Sequence, residues 1–324
     1  MKILMLGTAL AGLLAGAAGA QTLQISAPFP ESDAFVQAAI RWADTIRTET
    51  GGSVDFELVP NGALVPMAET LDAVSFGVVP AGMFAGSFVS GVIPALGYVE
   101  LIGSLPVANP PIGEALAAIW PDLDALFAVH DTHALWGAPA FNIGFICREG
   151  FLTTPEDWAG LRVRTAGRWQ SQQVAALGAV PVPLAPSEIY VALQNGVVDC
   201  SLMIPSITRA ARLYEVAPYY TDTGLPANLT LAVINQGVWD GFSDAERAVI
   251  SATSAALIQE SSVVFGAQAQ ADLQALAELG EVYTLSAEER AAFVALTAPI
   301  FDAVTEVVGD GPGASLVATL AGFR

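Results

Sequence analysis

Arg162-Val163-Arg164 places two guanidinium groups two residues apart, in a stretch that alternates like a strand. Alternate residues of a strand share a face, so both side chains leave on the same side. A guanidinium is a planar fork that matches a carboxylate in two parallel hydrogen bonds. The chemistry on offer is therefore recognition of an acid. From the residues alone, Arg164 also reads as a solvated strand-end side chain. Arg162 is nearer the preceding loop and reads as exposed, and Arg168 as a surface charge. The two histidines, in His130-Asp131-Thr132-His133, have the spacing of a weak metal pair and read as solvated loop residues; no metal site is expected. There is no G-x-S-x-G elbow and no G-x-G-x-x-G after a strand, so the common nucleophile and dinucleotide signatures are missing. Carboxylates are the one plentiful source of acid–base chemistry. Cys147 and Cys200 each follow an apolar run, and they are either a disulfide or two buried thiols.

Composition narrows the partners. The chain has 324 residues, 12 Lys+Arg against 32 Asp+Glu, and a net charge of −20; Lys2 is its only lysine. Nucleic acid and anionic membrane surfaces repel such a chain, and a phosphate loop would need a lysine. Hydrophobic residues at 53% and charged residues at 14% imply a large buried core rather than disorder.

The elements that must position Arg164 follow a strand–helix rhythm. Lys2, the apolar run Ile3–Leu14 and Ala18-Gly19-Ala20 read as a secretory leader cleaved before Gln21. Export places the mature chain in a periplasm. Strands are expected at Thr22–Ser26, Val54–Leu58 and Val78–Met83. Helices are expected from Ser32-Asp33 to about Glu49 and over Met67–Phe76. The uncharged stretch Ala73–Val99 carries Pro80, Pro94 and several glycines, which suits core strands and turns better than a membrane span. The rhythm returns with strands at Leu161–Arg164, Val180–Val182 and Val197–Asp199. These alternate with helices at Trp169–Leu177 and Ile189–Asn195. Helices are expected again over about Ser243–Leu279 and Ser286–Val308. Two α/β halves with parallel sheets and a helical C-terminal part are expected.

Several motifs, in order along most of the chain, carry a resemblance. They are Thr50-Gly51-Gly52, Pro60-Asn61-Gly62-Ala63-Leu64 and Gly160-Leu161-Arg162-Val163-Arg164. After these come Ala176-Leu177-Gly178-Ala179 with Pro181-Val182-Pro183, Ser187-Glu188-Ile189-Tyr190, Asn195-Gly196-Val197-Val198-Asp199, Leu213-Tyr214-Glu215-Val216, and Ala232–Asn235 followed by Trp239. This set resembles the DctP-like solute-binding proteins of tripartite ATP-independent periplasmic (TRAP) transporters. The resemblance implies an α/β, two-lobed periplasmic binding protein (type II-like) with a cleft between the lobes and a long C-terminal hinge helix. Lobe I is expected to comprise 21–141 plus about 231–271, and lobe II 142–230 plus about 272–324. The implied partners are a small organic acid and membrane permease subunits, with no catalysis and no cofactor.

The resemblance also implies that Arg164 is the carboxylate anchor. Many members carry a second arginine about 20 residues earlier; here that position is Gly144, with Asn142 on the same strand face. Met203 stands near a position where many members have Asn, and Pro186 replaces a common aromatic. Each change makes the site less polar. Trp169, Phe145 and Phe29 are the aromatics expected near the cleft. The expected ligand is a monocarboxylate with an apolar or aromatic body, such as a 2-oxo or 2-hydroxy acid. An exported enzyme acting on a small carboxylate, or a ligand-sensing binding protein, are the alternatives.

Overall fold

The structure is a computed structural model that describes residues 22–107 and 110–324. The expected leader, residues 1–20, lies outside the described residues. In chain order the first elements are β1 (Thr22–Ser26), α1 (Ala34–Glu49), β2 (Asp55–Val59), α2 (Thr70–Ser75), β3 (Ala81–Ala85), α3 (Leu96–Glu100), α4 (Ile112–Ala128) and β4 (Thr132–Cys147). Next come α5 (Pro155–Trp158), β5 (Arg162–Thr165), α6 (Arg168–Ala176), β6 (Val180–Pro183), α7 (Ile189–Gln194), β7 (Cys200–Met203), α8 (Pro205–Ala210) and β8 (Tyr219–Asn235). The chain ends with α9 (Gln236–Gly241), α10 (Asp244–Ala277), β9 (Glu281–Thr284), α11 (Ala287–Val308) and α12 (Ala314–Ala321).

The helix starts follow from capping chemistry. Asp33 Oδ1 accepts from the backbone N–H of Phe35 (2.9 Å) and Val36 (3.4 Å), which ends α1's run of unpaired donors. Ser243 with Glu246 and Ser286 with Glu289 form reciprocal capping boxes at the starts of α10 and α11. Residues 73–99 form the end of α2, the fully buried β3 and the turns leading into α3.

The nine strands pair in the order β2-β1-β3-β8-β4-β7-β5-β6, with β9 beside β8. β1 is parallel to β2 and β3, and β5 is parallel to β6 and β7. Two long strands, β4 of 16 residues and β8 of 17, run antiparallel to each other and through both lobes. The expected parallel sheets are therefore joined into one mixed sheet. β3 flanks β8 at one end, while β7 flanks β4 and β9 flanks β8 at the other.

The β4–β8 ladder loses register four times, the last three between Pro139 and Gly144. Asn142 (φ 49°) and Asn228 (φ 54°) sit in the left-handed region at this crossing. Asparagine tolerates that conformation through local hydrogen bonds. Asp222, on β8, accepts from Asn142 Nδ2 (3.1 Å), from Gly224 N (2.8 Å) and from Thr284 Oγ1 (3.1 Å).

One apolar core packs β1–β3, α1, α3 and α4. Two smaller cores cover opposite faces of the sheet around β5 and β7, as alternation on β4 directs: Phe145 enters one and Ile146 the other. α10, 34 residues and about 50 Å long, sends Ile250 and Ile258 into the first core and Leu273 and Leu276 into another. It is the long hinge helix expected. Phe301, Val304, Leu316 and Leu320 pack into the first core, so the last residues of the chain return to the lobe that holds β1–β3.

Candidate functional site

β5 ends between β6 and β7, and its residues alternate toward the space between the lobes. Arg164 is 3% exposed. Its Nε and Nη2 donate to Leu184 O (2.9 and 2.7 Å), and Nη1 donates to Leu202 O (3.3 Å). These bonds use three of the five guanidinium N–H groups. They leave one on Nη1 and one on Nη2, the pair that a carboxylate's two oxygens accept. Among the described residues no carboxylate lies within ion-pair distance of it. Burial pushes this group down from its ordinary value to about 10, and Glu188 offsets part of that. An unpaired buried charge costs several kcal/mol. The two carbonyls relieve part of the cost, and an anion would relieve the rest.

Arg164 lines a cavity of about 70 Å³ between the two lobes. Its apolar wall includes Phe29, Phe35, Met67, Phe88, Met203 and Ile207. Its other polar side chains are Ser87, Gln170, Asn228 and Thr230. A larger groove of about 730 Å³, lined by Gln24, Glu57 and Phe242, lies on the outer edge of the first lobe and has no buried charge among the residues lining it.

Of the residues read from sequence, the structure brings Arg164, Met203 and Phe29 together on this cavity. Trp169, Asn142 and Phe145 do not line it. Trp169 packs on α3, where a Cβ at Gly97 would come within 2.2 Å of its indole nitrogen. Asn142 turns its amide to Asp222. Phe145 stacks edge-on against Trp158, with ring centroids 4.7 Å apart. At Gly144 a Cβ would meet Thr221 O at 2.2 Å, so the backbone leaves no room there for a second arginine. Arg162 is on the surface in a two-bonded pair with Asp199 (2.6 and 3.0 Å).

Ser87, Gln170 and Asn228 escaped the sequence reading. Asn228 and Thr230 did leave a signal: two polar residues at alternate positions of the otherwise apolar stretch Leu225–Ile234. Ser87 left none.

The family described as bacterial extracellular solute-binding protein, family 7 (DctP), matches residues 25–102 and 136–306. The chain belongs to this family. It is 28% identical over 290 residues to the C4-dicarboxylate-binding periplasmic protein DctP of Rhodobacter capsulatus, covering 84% of this chain and 83% of that one. It is 22% identical over 260 residues to the 2,3-diketo-L-gulonate-binding periplasmic protein YiaO of Escherichia coli, covering 76% of each. The fold matches DctP7 of Bordetella pertussis, a receptor binding pyroglutamic acid, with a TM-score of 0.85, 20% identity, and 93% of this chain and 100% of that one covered. It also matches a TRAP solute-binding protein of Desulfovibrio salexigens with bound orotic acid, with a TM-score of 0.85, 22% identity, and 94% and 99% covered. TRAP solute-binding proteins are periplasmic receptors that bind small acids and work with membrane permease subunits.

Proposed function

We propose that this protein captures a small monocarboxylate with an apolar body, of the 2-oxo or 2-hydroxy class, for a TRAP-type ion-coupled uptake system. It releases the acid unchanged to the membrane permease. It is exported to the periplasm through the leader in residues 1–20. The observation that carries the ligand class is Arg164: a buried charge, held by two backbone carbonyls, with two donors left and, among the described residues, no carboxylate within ion-pair distance. Phe29 and Met203 supply apolar contacts to the ligand's body. Trp169, Asn142 and Phe145 act behind the site, through α3, the strand crossing and the core. Lobe I takes 21–141 and about 231–271, as read from the sequence, together with the C-terminal stretch from Phe301 on, because that stretch packs into the same core.

A thermal-shift screen of small acids tests the reading. A ligand present at 100 times its Kd stabilises the native protein by about 2.7 kcal/mol. Arg164→Ala is expected to abolish that stabilisation. A carboxylate whose stabilising effect survives the substitution would remove the anchor assignment. Mass spectrometry of the incubated acid is expected to find it unaltered.

A further inference from the structure

The cavity's amides are oriented by groups that act in one sense only. Asn228 Oδ1 accepts from the backbone N–H of Ser87 (3.2 Å) and of Leu229 (3.0 Å). A backbone N–H is only a donor, so the amide oxygen must face these two and the NH2 must face away. That NH2 donates to Ser87 Oγ (3.2 Å) and keeps one N–H. Ser87 Oγ, having accepted, keeps its own O–H. Gln170 repeats the logic. Its Oε1 accepts from Ala166 N (3.0 Å), which turns Nε2 and its two N–H groups the other way. Ser87 and Gln170 are 3% and 1% exposed, so bulk water reaches these donors poorly.

The cavity is thus lined by Arg164 and three neutral donors. Among the described residues no carboxylate lines it, and the one side-chain oxygen without a fixed role is the Thr230 hydroxyl. A site of buried donors left without acceptors discriminates strongly, because each unpaired donor keeps its desolvation cost. A carbonyl oxygen only accepts and suits such a wall. A hydroxyl accepts but brings a proton, for which the lining side chains offer only the Ser87 and Thr230 hydroxyl oxygens. A protonated amine brings donors and a second positive charge beside Arg164. The cavity is small, at about 70 Å³, and suits a short acid better than a sugar acid.

Resting on the reading of Arg164 as carboxylate anchor, we propose that Ser87, Asn228 and Gln170 read a carbonyl oxygen next to the carboxylate. The ligand is then a short-chain 2-oxo acid, and 2-amino acids are rejected.

Titration calorimetry on the full-length mature protein tests this with four probes of one skeleton: 2-oxopentanoate, 2-hydroxypentanoate, pentanoate and 2-aminopentanoate. The oxo acid is expected to bind at least tenfold tighter than the hydroxy acid and pentanoate, with no detectable heat from the amino acid. Ser87→Ala and Asn228→Asp are each expected to cut the oxo-to-pentanoate ratio to about threefold or less. Aspartate tolerates the left-handed backbone at 228, so this variant keeps the local fold. Equal binding of pentanoate and the oxo acid by the unmodified protein overturns the inference, while leaving the carboxylate anchor standing. So does a ratio unchanged in both variants. Binding of none of the four overturns the inference as well. Loss or retention in Arg164→Ala of the thermal stabilisation given by the acids of the wider screen then shows whether the anchor falls with it.

Discussion

Glu100 sets two effects against each other at a single carboxyl group. It is fully buried at the end of α3, where Oε2 accepts from Ser90 Oγ (2.6 Å) and Oε1 from Gln170 N (2.8 Å) in the first turn of α6. Helix N-termini favour a negative charge there. Burial outweighs that and raises the group from 4.5 to about 7. A group whose folded value is raised contributes stability that is complete below pH 4.5 and lost as pH rises through 7. Glutamine keeps an oxygen for the α6 N–H and offers its NH2 to Ser90. Glu100→Gln is therefore expected to match the native protein near pH 5 and to exceed it at pH 8 by on the order of 2–3 kcal/mol. Urea midpoints across that range check it, and parallel pH profiles for the two proteins would refute it. Legibility at this scale divides by chemistry. Arg164 needed the family resemblance, because from the residues alone it also reads as a solvated strand-end side chain. Phe29 and Met203 needed it too. The Asn228 and Gln170 amides are oriented by backbone donors, and nothing local to either residue announces that orientation. Glu100, in a glycine- and proline-broken apolar run, gave no hint of meeting α6.

The βα rhythm was legible wherever strands alternate, as in β1 and β2, and wherever caps announce helices, as in α1, α10 and α11. β4 and β8 are buried on both faces and lose the period of two that marks a strand. With them went the antiparallel crossing that turns two parallel sheets into one. β7 was read three residues early because Val197-Val198 is apolar; yet Gly196 (φ 66°) turns the chain there and Val197 is 50% exposed. α4 hides behind an internal Pro121, which reads as a breaker. Cys147 and Cys200 form a disulfide, which settles the alternative the sequence left open. It joins β4 to β7 at paired positions, and β7 in turn pairs Ser201 with Arg164 on β5. The bridge thus clamps the strand that carries the anchor's neighbours. It spans 53 residues, for which the chain-entropy account gives a contribution of about 4 kcal/mol. The Cys147→Ala/Cys200→Ala protein is expected to unfold at a lower urea midpoint by up to that amount. It should still bind the acid, because β5 keeps its ladder to β6. An unchanged midpoint would show that sheet packing alone sets the stability of this lobe.

The molecule places one buried cation, Arg164, among the described residues of a strongly anionic chain. The cavity draws walls from both lobes, and β4, β8 and α10 run between them, so an acid that touches both walls favours the closed arrangement. Two α/β halves were legible in the strand–helix rhythm, and the two-lobed arrangement in the motifs that carry the family resemblance. The return of the chain end to the first lobe was not, because it depends on the path of α11 across both lobes. The charge balance has a kinetic consequence. At −20, the body repels an approaching monoanion, while Arg164 attracts it only at short range. Screening lengths are about 30 Å at 0.01 M salt and about 8 Å at 0.15 M. Raising salt over that interval silences the distant carboxylates before it weakens contacts inside a closed cavity. The association rate constant for an acid ligand, followed by stopped-flow tryptophan fluorescence, is therefore expected to rise severalfold between those two concentrations. The dissociation rate should change little. An association rate that falls with salt would mean that local positive potential from Arg164 overrides the body's charge. Capture would then be steered rather than merely tolerated.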